Sequence, residues 1–165
     1  MSARQMVQHG IDPVFDGSSE ILVLGTMPSP ASREVGFYYS HPQNRFWQVL
    51  SAVFDEPLPY TIDQKKRLVL SHGIALWDVL ASCEMEGAED SSIKKPVAND
   101  FSAILSASSI KTVYTTGEKA DYLYKKLCRH QIGIDSIMLP STSPANRGRY
   151  PLNTLIEIYS VLRKG

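Results

Sequence analysis

The sequence predicts an α/β fold, a three-layer α/β/α sandwich around a central four-stranded parallel sheet. Three observations lead there. Four short apolar runs recur along the chain, two of them ending at a glycine. Segments of helical spacing separate them, and alternating strands and helices build parallel sheets covered on both faces. No repeat, low-complexity tract or linker divides the 165 residues, a length that suits one compact domain over residues 1–165.

The first strand is Glu20 to Gly25, a buried-type run closed by glycine. A Pro/Ser/Gly-rich loop follows from Thr26 to about Asn44. Residues 45–54 then have helical spacing, with apolar side chains at 46, 47, 50, 53 and 54 and Asn44 placed to cap them. A second helix covers Thr61 to Ser71, with Thr61 as its cap. Residues 73–80 form the second strand, and an acidic loop runs from Cys83 to Asp90. Asp100 caps a helix through Ile104 and Leu105. The third strand, 111–117, ends at Gly117 and leads into a helix from Glu118 to about Arg129. Residues 136–140 form the fourth strand, 141–150 a loop, and about 152–162 the last helix. In parallel sheets the ligand crevice lies at the carboxyl ends of the strands. The loops 25–44, 116–119 and 140–150 leave such ends, and chemistry is expected there.

Composition narrows the function classes. At 43% hydrophobic and 9% aromatic residues the chain reads as an ordinary globular protein. No apolar run approaches a membrane span and the start lacks a signal-peptide core, so the expectation is a cytoplasmic protein with no membrane partner. Cys83 and Cys128 stand far apart, outside any metal-ligand spacing, and read as reduced structural thiols. The net charge is zero, yet residues 1–90 hold 6 Lys+Arg against 12 Asp+Glu while residues 91–165 hold 11 against 5. A neutral total can hide a basic face, and phosphate contact needs only a local one. Scattered solvated charges would give the same counts.

Two segments carry a family likeness. Gly25-Thr26-Met27-Pro28-Ser29-Pro30, followed by Tyr38-Tyr39-Ser40-His41-Pro42-Gln43-Asn44-Arg45-Phe46-Trp47, resembles the first motif of mismatch-type uracil-DNA glycosylases: a G-x-x-P turn, an aromatic residue, and an H-P-x-N-R-F-W run. Leu139 to Arg147 resembles the superfamily's second motif, a Pro/Ser-rich loop that enters the minor groove beside a flipped base. Within the uracil-DNA glycosylase superfamily the chain looks most like the hypoxanthine (deoxyinosine) branch. Gly25–Pro28, Trp77–Leu80 and Ser143–Asn146 carry that likeness, and Asp78, Asp90 and Ser91 fall in segments similar to the branch.

The resemblance implies a monofunctional glycosylase that excises a deaminated base, most of all hypoxanthine, from DNA during base excision repair. It implies no metal, no cofactor and no covalent lysine intermediate. The partner is DNA holding a damaged base, and the chain is expected to act as a monomer in the cytoplasm, at the nucleoid. Tyr39 is carried over as the platform that stacks on the flipped base; the bland alternative makes Tyr38 and Tyr39 core-edge tyrosines. Mismatch-type enzymes hold the attacking water with an asparagine in the first turn. Met27 stands there, and a thioether orients water poorly. In the hypoxanthine branch the asparagine of the H-P-x-N run takes the catalytic burden, here Asn44, which also reads as a plain helix cap.

His41 reads as packing for the loop. Gly25, Thr26, Met27 and Pro28 would line the base, with the N–H groups of Thr26 and Met27 as donors. Thr116 stands where related enzymes carry an amide that reads the base. Ser141, Thr142, Ser143, Pro144, Ala145, Asn146 and Arg147 would form the wedge and phosphate clamp, with Arg149 adding charge. Three rival readings keep a similar fold and give it other chemistry. One is a uracil/thymine mismatch enzyme, which Met27 opposes. Another is a non-catalytic nucleic-acid binder. The third is a small-molecule hydrolase, for which Gly25–Pro28 is too short a phosphate loop.

Overall fold

In the computed structural model the described residues are 5–86, 90–146 and 148–164. In chain order the elements are β1 (Gln5–Gln8), β2 (Ile21–Gly25), α1 (Pro30–Val35), α2 (Phe46–Val53), α3 (Ile62–Ser71), β3 (Ile74–Asp78), β4 (Leu80–Met85) and β5 (Lys94–Ala98). There follow α4 (Ser102–Ala107), β6 (Thr112–Thr116), α5 (Glu118–Leu127), α6 (Arg129–Ile132), β7 (Ser136–Leu139) and α7 (Leu152–Tyr159). The four expected strands form one sheet in the order β3-β2-β6-β7, and every neighbouring pair is parallel.

Strand side chains alternate between faces, and β2 shows what that does here. Ile21 and Val23 pack on one face with Phe46 and Leu50 of α2, Leu68 of α3, and Leu155 and Tyr159 of α7. Leu22 and Leu24 pack on the other with Phe101, Ile104 of α4, and Leu123 and Tyr124 of α5. Both faces are therefore covered by helices, the three-layer arrangement the alternation predicts.

The helix ends follow local chemistry. The carboxamide oxygen of Asn44 accepts the N–H of Phe46 (2.9 Å) at the start of α2. Thr61 and Gln64 form a reciprocal capping box on α3. Asp100 accepts the N–H of Ser102 (2.9 Å) as α4 begins. The fourth helical run is interrupted at Cys128, so α5 stops at Leu127 and α6 follows. The last helix gives way at Tyr159 to a 3-10 turn over Ser160–Lys164.

Three features depart from the sequence reading. The loop 26–44 contains α1, which Ser29 caps (Ser32 N–H to Ser29 Oγ, 3.1 Å), Pro30 opens, and the left-handed Gly36 (φ 87°) closes. The strand expected over 73–80 breaks at Val79, and β4 then runs to Met85 through residues expected to be acidic loop; residues 87–89 lie outside the described ones. Strand β4 is the centre of a second, antiparallel sheet, β1-β4-β5. Its outer strands give little sequence signal, because β1 is mostly polar (QMVQ) and β5 holds two lysines and a proline (KKPVA). Such residues are tolerated at a sheet edge. Among the described residues, no helix is long and apolar enough to cross a membrane.

Asp121 of α5 ties this side of the sheet together. It accepts hydrogen bonds from Thr115 (2.8 Å) and Ser136 (2.6 Å) and pairs with Lys125 (3.0 Å). Burial alone would raise its pKa; the hydroxyls of Ser136 and Thr115 and the charge of Lys125 outweigh it and hold the carboxyl below its usual range.

Candidate active site

The connections from β2 run to one side of the sheet (β3), and those from β6 to the other (β7). A crevice opens where such connections diverge. It holds a cavity of about 360 Å3, lined by residues 25–29 after β2, Tyr39, His41 and Asn44 before α2, Asp78 at the end of β3, Thr116 at the end of β6, and residues 141–145 after β7. That volume falls among ordinary ligand pockets. Both motifs thus face one cavity, although Asn44 and Thr142 are 98 residues apart.

Local bonds shape the first loop. Arg33 Nη1 donates to the carbonyl of Pro28 (2.7 Å), and the N–H of Ser40 donates to Ser32 Oγ (3.1 Å). Trp47 Nε1 donates to the carbonyl of Tyr38 (3.1 Å), and the hydroxyl of Tyr38 to the carbonyl of Asp12 (2.7 Å). Tyr38 is a buried core residue that also borders the cavity, and Tyr39 beside it is half-buried and lines the cavity. Its ring stacks on Phe46 (3.8 Å between centroids, 14° between planes). Its backbone φ of 55° is left-handed, a conformation that costs a non-glycine residue roughly 1 kcal/mol or more and recurs at functional sites. The Tyr39 hydroxyl is buried, and among the described residues no partner meets it in good hydrogen-bond geometry, Thr116 being close by. Burial and the nearby Asp78 charge push its pKa up, against a smaller opposing effect of Thr116, so the phenol stays protonated.

Asn44 has a defined orientation. Its Oδ1 accepts from the Phe46 N–H (2.9 Å) and from the Thr142 hydroxyl (2.8 Å). A backbone N–H needs an oxygen opposite it, so the amide cannot be turned around. Both lone pairs of the oxygen are engaged, and the Nδ2 hydrogens are what Asn44 offers to a ligand. Arg45 clasps the same two loops: its N–H bonds the carbonyl of Thr142 (3.2 Å) and its Nη1 that of Tyr150 (2.6 Å).

The second loop is built to stand up. Tyr159 donates to the carbonyl of Pro140 (2.5 Å) at its base, and Asn146 Nδ2 to the carbonyl of Ser141 (2.9 Å) within it. A single 3-10 turn, Pro144–Asn146, forms the apex, with Ala145 exposed. Ser141, Ser143 and Pro144 are half-buried along the cavity. Thr142 is 1% exposed and faces Asn44, so it supports the site from beneath and does not reach outward. Arg147 lies outside the described residues. A second, more open groove continues from the cavity past Thr116, Ser141 and Ser143 and is lined further on by Glu118, Lys119 and Arg149.

Gly25, Thr26 and Pro28 are buried beneath the cavity and Met27 is partly buried beside it, its side chain against the second core cluster. His41 lines the mouth with its Nδ1 accepting the N–H of Gln43 (3.1 Å), a loop-shaping contact. Thr116 is buried, and its hydroxyl makes a long bond to the carbonyl of Leu24 (3.4 Å).

Sequence reasoning gave no role to the pair Asp78 and His9. His9 Nδ1 accepts the N–H of Ile11 (3.2 Å), which places the ring proton on Nε2; Nε2 then donates to Asp78 Oδ2 (2.8 Å). A Cβ placed on Gly25 would stand 2.5 Å from Asp78 Oδ1. A larger residue at the first turn would have to displace that carboxylate oxygen, which fills the space beside Gly25. For Asp78 the available signals were a lone acid closing an apolar strand, I-A-L-W-D, and its place in the Trp77–Leu80 segment; His9 had none. Among the described residues, no three His, Cys, Asp or Glu side chains converge where a metal could sit.

Comparison with known proteins gives a concordant picture. A model of the uracil DNA glycosylase superfamily matches residues 13–163. Two relatives described as hypoxanthine DNA glycosylases are similar across most of their length. That of Methanosarcina acetivorans is 36% identical over 160 residues, 96% of this chain and 99% of its own. That of Methanosarcina barkeri is 37% identical over 145 residues, 86% of this chain and 90% of its own. The solution NMR structure of a Methanosarcina acetivorans chain, a candidate uracil DNA glycosylase, superposes with a TM-score of 0.81 at 31% identity, covering 97% of this chain and 98% of that one.

Proposed function

The chain belongs to the uracil DNA glycosylase superfamily, and we propose that it is a monofunctional glycosylase that flips hypoxanthine out of DNA and hydrolyses its N-glycosidic bond. On this reading it acts as a monomer on chromosomal DNA in the cytoplasm. The observation that carries the proposal is the orientation of Asn44. A glycosidic bond breaks with positive charge developing on the sugar and negative charge on the departing base. Fixed N–H donors aimed at that negative charge stabilise the transition state more than the ground state. Asn44 offers such donors, held by Thr142 and Phe46 before any ligand arrives. Water adds its oxygen to C1′ as the base leaves, and the base takes up the proton.

The remaining parts match the physical needs of base extraction. Unstacking a base costs roughly a few kcal/mol, least at a mispair. Tyr39, backed by Phe46, supplies a new stacking surface. The Pro144–Asn146 turn supplies a wedge, and Lys119 and Arg149 flank the groove that would take the adjoining phosphates. Met27 at the first turn offers no acceptor able to hold water as a carboxamide does, which supports hypoxanthine over uracil, and the curated relatives bear the same name. The purified chain should release hypoxanthine from a duplex with one deoxyinosine, leaving an alkali-labile site. Cleavage of a matched deoxyuridine duplex should be slower by about 10-fold or more, the scale set by one missing pocket interaction. Cleavage of the deoxyuridine duplex alone would contradict the substrate assignment.

A further inference from the structure

Thr142 carries a hydroxyl whose direction is forced. The residue is 1% exposed, and its Oγ1 lies 2.8 Å from Asn44 Oδ1. Its backbone is tied down as well: the Arg45 N–H donates to its carbonyl (3.2 Å), and the carbonyls of Ser141 and Ser143 accept from Asn146 Nδ2 (2.9 Å) and the Asn146 N–H (3.0 Å). A hydroxyl can donate or accept. The Phe46 N–H (2.9 Å) can only donate, which fixes an oxygen at Asn44 Oδ1, so the hydroxyl facing that oxygen must donate too. Among the described residues it bonds to Asn44 alone. Two consequences follow for the carboxamide. Hydrogen bonds accepted by its oxygen draw electron density from its nitrogen, and such chains strengthen each bond by about 10–30%. With both lone pairs engaged, Oδ1 has none left for the attacking water.

Given the glycosylase reading above, we propose that Thr142 is a positioning residue of the excision step: its hydroxyl polarises the Asn44 carboxamide and confines it to the donor role. The Nδ2 hydrogens then bind the departing base more strongly as negative charge builds on it. A gain that grows with that charge favours the transition state over the bound substrate. Thr142 itself touches neither the base nor the sugar and acts wholly through Asn44. The loop whose outer turn is Pro144–Asn146 thus supplies, from its buried side, part of the aim of the catalytic group.

The test separates the hydroxyl from the shape of the side chain. Thr142→Val keeps the shape and removes the hydroxyl, whereas Thr142→Ser keeps the hydroxyl and removes a methyl group. Single-turnover excision of hypoxanthine should fall about tenfold in Thr142→Val and stay within about threefold of wild type in Thr142→Ser, the scale of one hydrogen bond. The Kd for the deoxyinosine duplex should stay within about threefold in both. A packing role predicts the opposite order, serine slower than valine; that order, or equal rates, overturns the proposal. If the valine variant does not fold, Thr142→Ala beside Thr142→Ser poses the same question, and equal rates again overturn it. A second readout is independent of activity. The side-chain 15N signal of Asn44 should move upfield in Thr142→Val and stay in place in Thr142→Ser, and an unmoved signal in the valine variant overturns the polarisation. Release of uracil without hypoxanthine by the wild type would sink the substrate assignment and leave Thr142 to be judged by the same variants on deoxyuridine. Release of neither base would overturn both, even with the amide signal shifted.

Discussion

Asp121 of α5 and Asp78 of β3 are two largely buried carboxylates at one parallel sheet, with side chains 14% and 6% exposed. Asp121 sits against β6 and β7 with two hydroxyls and an ammonium group around it. Asp78 ends β3 with one oxygen held by His9 and the other open to the cavity. Asn44 shows the same split within a single group, its oxygen doubly bonded and its nitrogen left for a ligand. The difference teaches how to tell support from function in this molecule. Where polar groups hold the fold together, their bonding capacity is filled by the protein. Around the cavity it is half filled, and the filled half aims the other.

The contrast can be broken from either side. The larger effect is expected at the cavity. Gly25→Ala puts a methyl group 2.5 Å from Asp78 Oδ1, which must displace the carboxylate. Excision of hypoxanthine should fall by about 10²-fold, the scale of an ångström misplacement in an active site, and single-turnover kinetics would show it. Asp121→Asn should do the reverse. Losing the ion pair with Lys125 and weakening the bonds to Thr115 and Ser136 should lower stability by about 1–3 kcal/mol, read by thermal or urea unfolding, with excision within about threefold of wild type.

The pH dependence of that loss has a definite sign. The Asp121 carboxyl is held below its ordinary pKa in the folded chain. Its contribution is therefore complete above the unfolded value, near pH 4, and disappears as the pH falls through the folded one. The stability gap between wild type and Asp121→Asn should stay constant from about pH 5 to 8 and close in acid. A gap that widened in acid would remove Asp121 from the filled, structural charges.

Much of this is legible in the chain. The strands β2, β3, β6 and β7 are apolar runs, and the turns that end them are written in glycine, proline and capping residues. The antiparallel sheet is not legible, because Lys94, Lys95 and Pro96 are edge-strand residues whose pairing with β4 becomes visible only in space. In the site, the motif residues Tyr39, Asn44 and Thr116 stand out in the sequence and do converge on one cavity. The pairing of Asp78 with His9 does not, because 69 residues separate them, and the Trp77–Leu80 likeness marks Asp78 without showing its partner. Thr142 reads as part of the DNA-facing loop, although its burial against Asn44 makes it a support. Local sequence reports turns, caps and periods; it does not report which acid the topology will bring beneath which glycine.

The most direct measurement is single-turnover excision of hypoxanthine from a deoxyinosine duplex by Asn44→Asp beside Asn44→Ala. Aspartate keeps an oxygen for Phe46 and Thr142 but replaces the cavity-facing NH2 donor with a second acceptor. Both variants should lose activity alike, by about 10²–10³-fold, while remaining folded. If Asn44→Asp retained or exceeded wild-type activity, Asn44 would be working as an acceptor that activates water, and the donor reading would be wrong.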